Sequence, residues 1–217
     1  REGIERSRRT RYGDIAVRLS DPTIIVRMAA VISMETLADE WLSDPQVDDT
    51  TRRREAQACV DVLCSYLRSP YHPTDKAPSL VERSVTRTDG ASELEEHHEF
   101  PLDDLEVRET IVRLIATHLS APGGRALDSE EPVPGPWSNL ALDLTGALLH
   151  HADFAGRVFA GATLFNGTLF TGEYTSFTGA RFTGEHTWFI DAHFTGEYTL
   201  FSDARFTGEH TWFTGAH

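Results

Sequence analysis

From about Leu142 onward, large apolar residues return at intervals that suit neither a helix nor a flat strand. Leu144, Leu149, Phe154, Phe159, Leu164 and Leu169 are each five apart. A helix brings a side chain back to the same face every 3.6 residues and a strand every two. An interval of five fits a chain that turns a corner after each short extended piece, returning one large side chain to the centre every time. Ala147, Ala152 and Ala162 stand two positions before such a residue, where a small side chain leaves room for the large one. Gly156, Gly161 and Gly167 are placed to accept the corner dihedrals.

A longer rhythm overlies the first. Phe165, Phe177, Phe189, Phe201 and Phe213 recur every twelve residues, with Phe170, Phe182, Phe194 and Phe206 five after each of the first four. "GEYT" and "GEHT" alternate, so Tyr174 matches Tyr198, His186 matches His210, Arg181 matches Arg205 and Trp188 matches Trp212. Residues twenty-four apart are therefore expected to stack one strand spacing, about 4.8 Å, along an axis. The two extra residues per half-circuit are expected as outward bulges near Thr187 and Thr211. The inward column is expected to contain Leu144, Leu149, Phe154, Phe159, Leu164, Phe182, Phe194 and Phe206. Trp188, Trp212, Arg181, Arg205, Glu185, Glu209, His186 and His210 are expected to face outward as a contact surface. Two readings of that surface stay open: recognition, or side chains copied by duplication without a role.

These units resemble the pentapeptide-repeat family, whose motif is a small residue, a polar one, Leu or Phe, then two more. The sequence supplies "ADFAG", "RVFAG", "ATLFN", "ARFTG" and "AHFTG" between about residues 140 and 217. The resemblance implies a right-handed quadrilateral β-helix with four five-residue faces per coil. In that family, acidic β-helices resemble duplex DNA and bind DNA gyrase, protecting it from quinolones.

The first half reads as helical. "LSDPTIIVRMAAVISMETLADEWL" opens with Asp21 as a cap and Pro22 at a first helical position, then places Val26, Ala30, Met34, Leu37 and Trp41 on one face. A preceding helix over 4–19 supplies Ile15, Val17 and Leu19. A third carries Ala56, Val60, Leu63 and Leu67, and a fourth Val107, Ile111, Leu114 and Ile115. Asp103 and Asp104 at the start of the fourth, and His118 at its end, suit the helix dipole. "IIVRMAAVISM" and "LEVRETIVRLI" share Val-Arg at the same point, an echo that resembles HEAT and armadillo-type helical repeats. The expected fold class is thus α+β: a helical, HEAT-like domain over 1–120, a linker over 121–137, and a β-helix over 138–217. Residues 70–102, rich in Pro, Ser and acids, read as a mobile loop. His97 and His98 there are adjacent and are not expected to chelate one ion.

The charge narrows the function classes. The chain carries a formal −14, which disfavours direct binding to nucleic acid phosphates. Residues 138–217 hold eight acids and three Arg, a net of −5, so most of the acidity lies in the front half rather than on a DNA-like rod. A gyrase supercoiling assay discriminates that alternative. Cys59 and Cys64 match no metal or redox spacing and sit on an apolar stripe, as expected of buried thiols in a reducing compartment. No phosphate loop, nucleophile elbow or metal-ligand spacing is present, so neither catalytic residues nor cofactors nor metals are expected.

The leading expectation is a non-enzymatic, cytoplasmic scaffold that binds another protein. The five Arg of "REGIERSRRTR" raise the further alternative of a basic segment beside a membrane tether upstream of residue 1. "FTGAH" stops within a unit, which suggests a homodimer through that end or a longer chain.

Overall fold

The computed structural model describes residues 2–71, 79–88, 91–99, 104–121 and 132–217. Four helices come first: α1 (Glu2–Arg18), α2 (Ile24–Leu42), α3 (Asp49–Arg68) and α4 (Leu105–His118). Their buried faces follow the apolar spacing. Ala30, Met34, Leu37 and Trp41 of α2 meet Ala56, Val60, Leu63 and Leu67 of α3, and Val107, Ile111 and Ile115 of α4, in one core. Leu114 packs against its edge, half-buried, and Val26 is half-buried as well. On α1 and just after it, Ile15 and Leu19 are buried, but Val17 is 73% exposed, because three successive odd positions cannot share one helical face. Cys59 and Cys64 are free, buried thiols, each pushed up to about 12 chiefly by burial.

The start of α2 differs from expectation. Its N-cap is Thr23, without a side-chain cap bond, and Asp21 instead accepts from the Thr23 backbone N–H at 2.8 Å in a turn just upstream. The Arg-rich opening is engaged in helix packing: Arg8 pairs with Asp44 (2.6 Å), Arg9 with Glu55 (3.0 Å) and Arg11 with Glu40 (3.0 Å). Among the described residues no helix is long and apolar enough to cross a membrane.

The segment expected as a loop over 70–102 carries two antiparallel strands, β1 (Ser79–Thr88) and β2 (Ala91–Glu99). The His97–His98 pair falls in β2, in register with Glu82 and Leu80. Residues 72–78, 89–90 and 100–102 of that loop, Asp103, and residues 122–131 of the expected linker lie outside the described residues.

After Trp137 the chain forms four stacked parallel sheets. The first holds β3 (Leu142–Asp143), β6 (Thr163–Leu164), β10 (His186–Trp188) and β14 (His210–Trp212). The second holds β4 (Leu148–His150), β7 (Leu169–Thr171) and β11 (His193–Phe194). The third holds β8 (Tyr174–Ser176) and β12 (Tyr198–Leu200), extended by a bridge from Asp153 to Ser176. The fourth holds β5 (Val158–Phe159), β9 (Arg181–Phe182) and β13 (Arg205–Phe206). Chain order visits the sheets in fixed rotation, so each strand lies over one from the previous circuit.

The expected twenty-four-residue register holds in the later circuits: His186 pairs with His210, Trp188 with Trp212, Tyr174 with Tyr198 and Arg181 with Arg205. The first circuits are shorter. Leu148 pairs with Leu169 and Val158 with Arg181, separations of twenty-one and twenty-three.

The interior is a set of aromatic columns. Phe159, Phe182 and Phe206 stack at 4.5 and 4.6 Å, Phe165, Phe189 and Phe213 at 4.8 and 4.7 Å, and Phe154, Phe177 and Phe201 at 5.5 and 4.9 Å. Phe170 and Phe194 stack at 4.7 Å. Leu144, Leu149, Phe154, Phe159 and Phe182 are buried as expected, while Phe194 and Phe206 are only partly buried.

Leu164 is a correction. It is half-buried and lies in strand register with Asp143 and Trp188, so Phe165 takes the inward place. The cause is one extra residue between Phe159 and the next inward ring, which moves the inward place of the five-residue series from Leu164 to Phe165 and from Leu169 to Phe170. The small residue paired with Phe165 is accordingly Thr163, buried, and not Ala162.

Nor does the chain bulge outward at Thr187. That residue is buried, two positions before Phe189 as Ala180 is before Phe182. The extra residues sit at the bend Gly184–Glu185. A Cβ on Gly184 would fall on the carbonyl oxygen of Gly161 one circuit below, and one on Gly208 on that of Gly184, so this corner admits only glycine. Gly161 thus serves close approach, whereas Gly156 and Gly167 do adopt positive φ.

The helical and sheet portions share one continuous core. Gln57 exchanges two 2.8 Å hydrogen bonds with the backbone of Ala141, Arg68 pairs with Asp143, and the Val158 N–H donates to the Leu119 carbonyl at 3.1 Å. Buried Trp137 donates its indole N–H to Asp39 at 2.9 Å and stacks on His118 at 4.3 Å. The first circuit is thereby seated on α3 and α4.

Candidate functional site

The outer face of the first sheet brings together most of the expected contact residues. In β10 the alternation of a strand sends Thr187 inward and His186 and Trp188 outward. β14 repeats this one circuit on, so like stacks on like. The Trp188 and Trp212 rings lie 5.3 Å apart at 7°, and the His186 and His210 rings 5.2 Å apart at 16°. His186 is also 5.3 Å from Trp188. Leu164 lies in register beneath Trp188 and extends the apolar strip, while Trp212 is 47% exposed.

Glu185, exposed at the preceding bend, places Oε1 3.3 Å from Nε2 of His186. Glu209 occupies the same place beside His210, also exposed. Arg181 and Arg205 are in register with one another on the fourth sheet, not the first. The eight residues therefore divide between neighbouring faces. His186 Nδ1 and Trp188 Nε1 are shielded from solvent and have no hydrogen-bond partner among the described residues. A polar atom held this way gains from any group that can meet it. The face offers a flat aromatic strip, two imidazoles and carboxylates, all on a rigid sheet.

A second constellation lies among the helices and is only partly foreshadowed by the sequence. Arg27 and Arg108, the two arginines of the shared Val-Arg echo, are both buried and both approach Asp104: Nε of Arg27 at 3.2 Å and Nε of Arg108 at 3.0 Å. Tyr66 donates its hydroxyl to the same carboxylate. Burial, then the hydrogen bond to Asp104, hold that phenol well above its usual range. Arg108 also donates to the carbonyls of Leu67 and Ser69 and lies 4.5 Å from the Tyr71 ring centre. These groups line an open cavity of about 550 Å³. The donors of Arg108 are taken by Asp104 and backbone carbonyls, while Nε and Nη2 of Arg27 are buried without a hydrogen-bond partner among the described residues, and the cluster acts first as a clamp between α2, α3 and α4. The Val-Arg echo is the sequence signal that marks it.

At the end of α4, His118 bonds the Leu114 carbonyl (2.8 Å) and Asp39 (3.1 Å). Burial opposes its charge, but these bonds and the nearby Asp39 and Glu35 carboxylates raise its pKa above the usual histidine value. Asp39 is lowered: burial opposes this, and the bonds from His118 and Trp137 outweigh it.

No protein-family model matches the chain, and neither a curated protein nor a solved structure matches it.

Proposed function

We propose that the chain is a non-enzymatic scaffold that binds another protein along the outer face of its first sheet. In this reading the C-terminal part is a right-handed quadrilateral β-helix of the pentapeptide-repeat type, and the four helices are a HEAT-like module that seats it. The fixed rotation among four parallel sheets and the filled aromatic interior support the architecture. The observation that carries the function is the Trp188–Trp212 strip, flat, in register and open to solvent at Trp212. Stacked aromatic side chains with few rotatable bonds are efficient contact anchors, since they bury much area while losing little conformational freedom. An extended segment of a partner lying across the strands would meet both rings and the flanking histidines and glutamates.

The test is quantitative affinity capture from extracts of the native host with the wild-type chain and a Trp188→Ala/Trp212→Ala variant of equal thermal stability. Proteins retained by the wild type and lost from the variant support the reading. Identical retained sets contradict it.

A further inference from the structure

We propose that Glu185, His186 and His210 form a binding site for a divalent late first-row transition ion of the zinc class. One ligand atom from each of the three side chains falls within a group whose members lie no more than 4.8 Å apart. Two imidazoles and a carboxylate are a donor set suited to Zn²⁺, Cu²⁺ or Ni²⁺, and three protein ligands leave a coordination position open for water or a further donor.

The fold builds this arrangement. Alternation of "GEHT" with "GEYT" sends histidine to successive rungs of the first sheet and tyrosine to successive rungs of the third. His210 therefore lies directly over His186 instead of twelve residues away on another face. Two imidazoles on neighbouring rungs, one strand spacing apart, can reach a common ion with Zn–N bonds of about 2.0–2.1 Å once the rings turn their nitrogen lone pairs toward each other. That turn is cheap at this place. Both rings are at least partly exposed, and Nδ1 of His186 has no hydrogen bond among the described residues to lose. Oε1 of Glu185 already sits 3.3 Å from Nε2 of His186, the nitrogen that would face the ion, and the carboxylate supplies the negative charge that a dication needs. The backbone beneath is fixed by parallel pairing of His186 with His210 and of Trp188 with Trp212, so the ligands start from a rigid base. The site stands or falls independently of the scaffold reading.

The decisive experiment is calorimetric titration of the whole chain with Zn²⁺ at pH 7.5, for the wild type, His186→Tyr, His210→Tyr and Glu185→Gln. Tyrosine is the natural occupant of this repeat position at Tyr174 and Tyr198, so both histidine variants are expected to keep the wild-type melting temperature. The expected result is one saturable ion per chain, with affinity reduced at least about tenfold in each histidine variant, a tenfold change being about 1.4 kcal/mol. Glu185→Gln weakens binding by less.

A second readout is optical: Cu²⁺ bound here quenches the fluorescence of Trp188, whose ring is 5.3 Å from that of His186, and the quenching disappears in His210→Tyr. His150→Ala is the control, since His150 lies 3.8 Å from Glu109 and offers a competing pair of ligand types. Wild-type protein that takes up no zinc, or zinc affinity unchanged in the two tyrosine variants, overturns the proposal, as does loss of binding in the His150 variant alone.

Discussion

Phe182 illustrates how much one side chain supports. It is fully buried and stacks between Phe159 and Phe206 at nearly parallel angles. A rigid pile of parallel strands cannot collapse into a hole, so Phe182→Ala is expected to cost about 3–5 kcal/mol in chemical denaturation. A cost below about 1 kcal/mol would mean that the column relaxes. Thr187 makes the opposite case. Its hydroxyl is buried and has no hydrogen-bond partner among the described residues, and the residue sits in the interior two positions before Phe189. Thr187→Val removes the unmet polar atom and keeps the shape, so the melting temperature is expected to hold or rise. A clear fall in melting temperature would show that the hydroxyl is satisfied. The phenylalanine columns are legible in the sequence because rings spaced by five and twelve share one interior only if the chain corners at regular intervals. The slip at Leu164 is not, since a single inserted residue becomes visible only once the neighbouring rung fixes which of Leu164 and Phe165 points inward.

Among elements, the helices follow from apolar spacing, whereas their starts do not. Asp21 and Pro22 look like a cap and first turn, yet the helix begins at Ile24, because a carboxylate next to a turn can satisfy the turn's own backbone first. The strands β1 and β2 are masked in the sequence by the acid and proline content around them. The Asp89-Gly90 pair is the hairpin signal that points to them, supported by Val81, Val85, Thr86 and Thr88 before it but by no β-branched or aromatic residue in 91–99.

The end of α4 carries a pH prediction. His118 is raised, so its contribution to stability is fully present below the unfolded histidine value of about 6.5 and is lost as pH rises through the folded value. Asp39 is lowered, so its contribution is present above the unfolded carboxylate value of about 3.9 and is lost as pH falls through the folded one. The contact is therefore strongest between about pH 4 and 6.5. The melting-temperature difference between wild type and His118→Gln is expected to be largest in that window and to shrink above it. A difference that grows toward high pH would contradict the assignment.

At the scale of the whole molecule, circuits lengthen from twenty-one to twenty-four residues while the four sheets stay in register. The added residues go into the Gly-Glu bends, where glycine lets one circuit approach the next, and the repeated outer residues then align into columns. The outer surface is legible in the sequence as a set of matched pairs, but its division between the first and fourth sheets is not, because spacing alone does not say which corner separates Arg181 from His186.

Disulfide trapping measures that register directly. Bridging needs Cα atoms within about 7 Å, a distance met by neighbouring strands and not by residues a corner apart. Cys59 and Cys64 do not compete, being buried with thiols pushed up to about 12. Under mild oxidation, Arg181→Cys/Arg205→Cys, twenty-four apart, is expected to cross-link, and Glu185→Cys/Arg205→Cys, twenty apart, is not. Cross-linking of the second pair in place of the first would contradict the stacked twenty-four-residue circuit on which the fold rests.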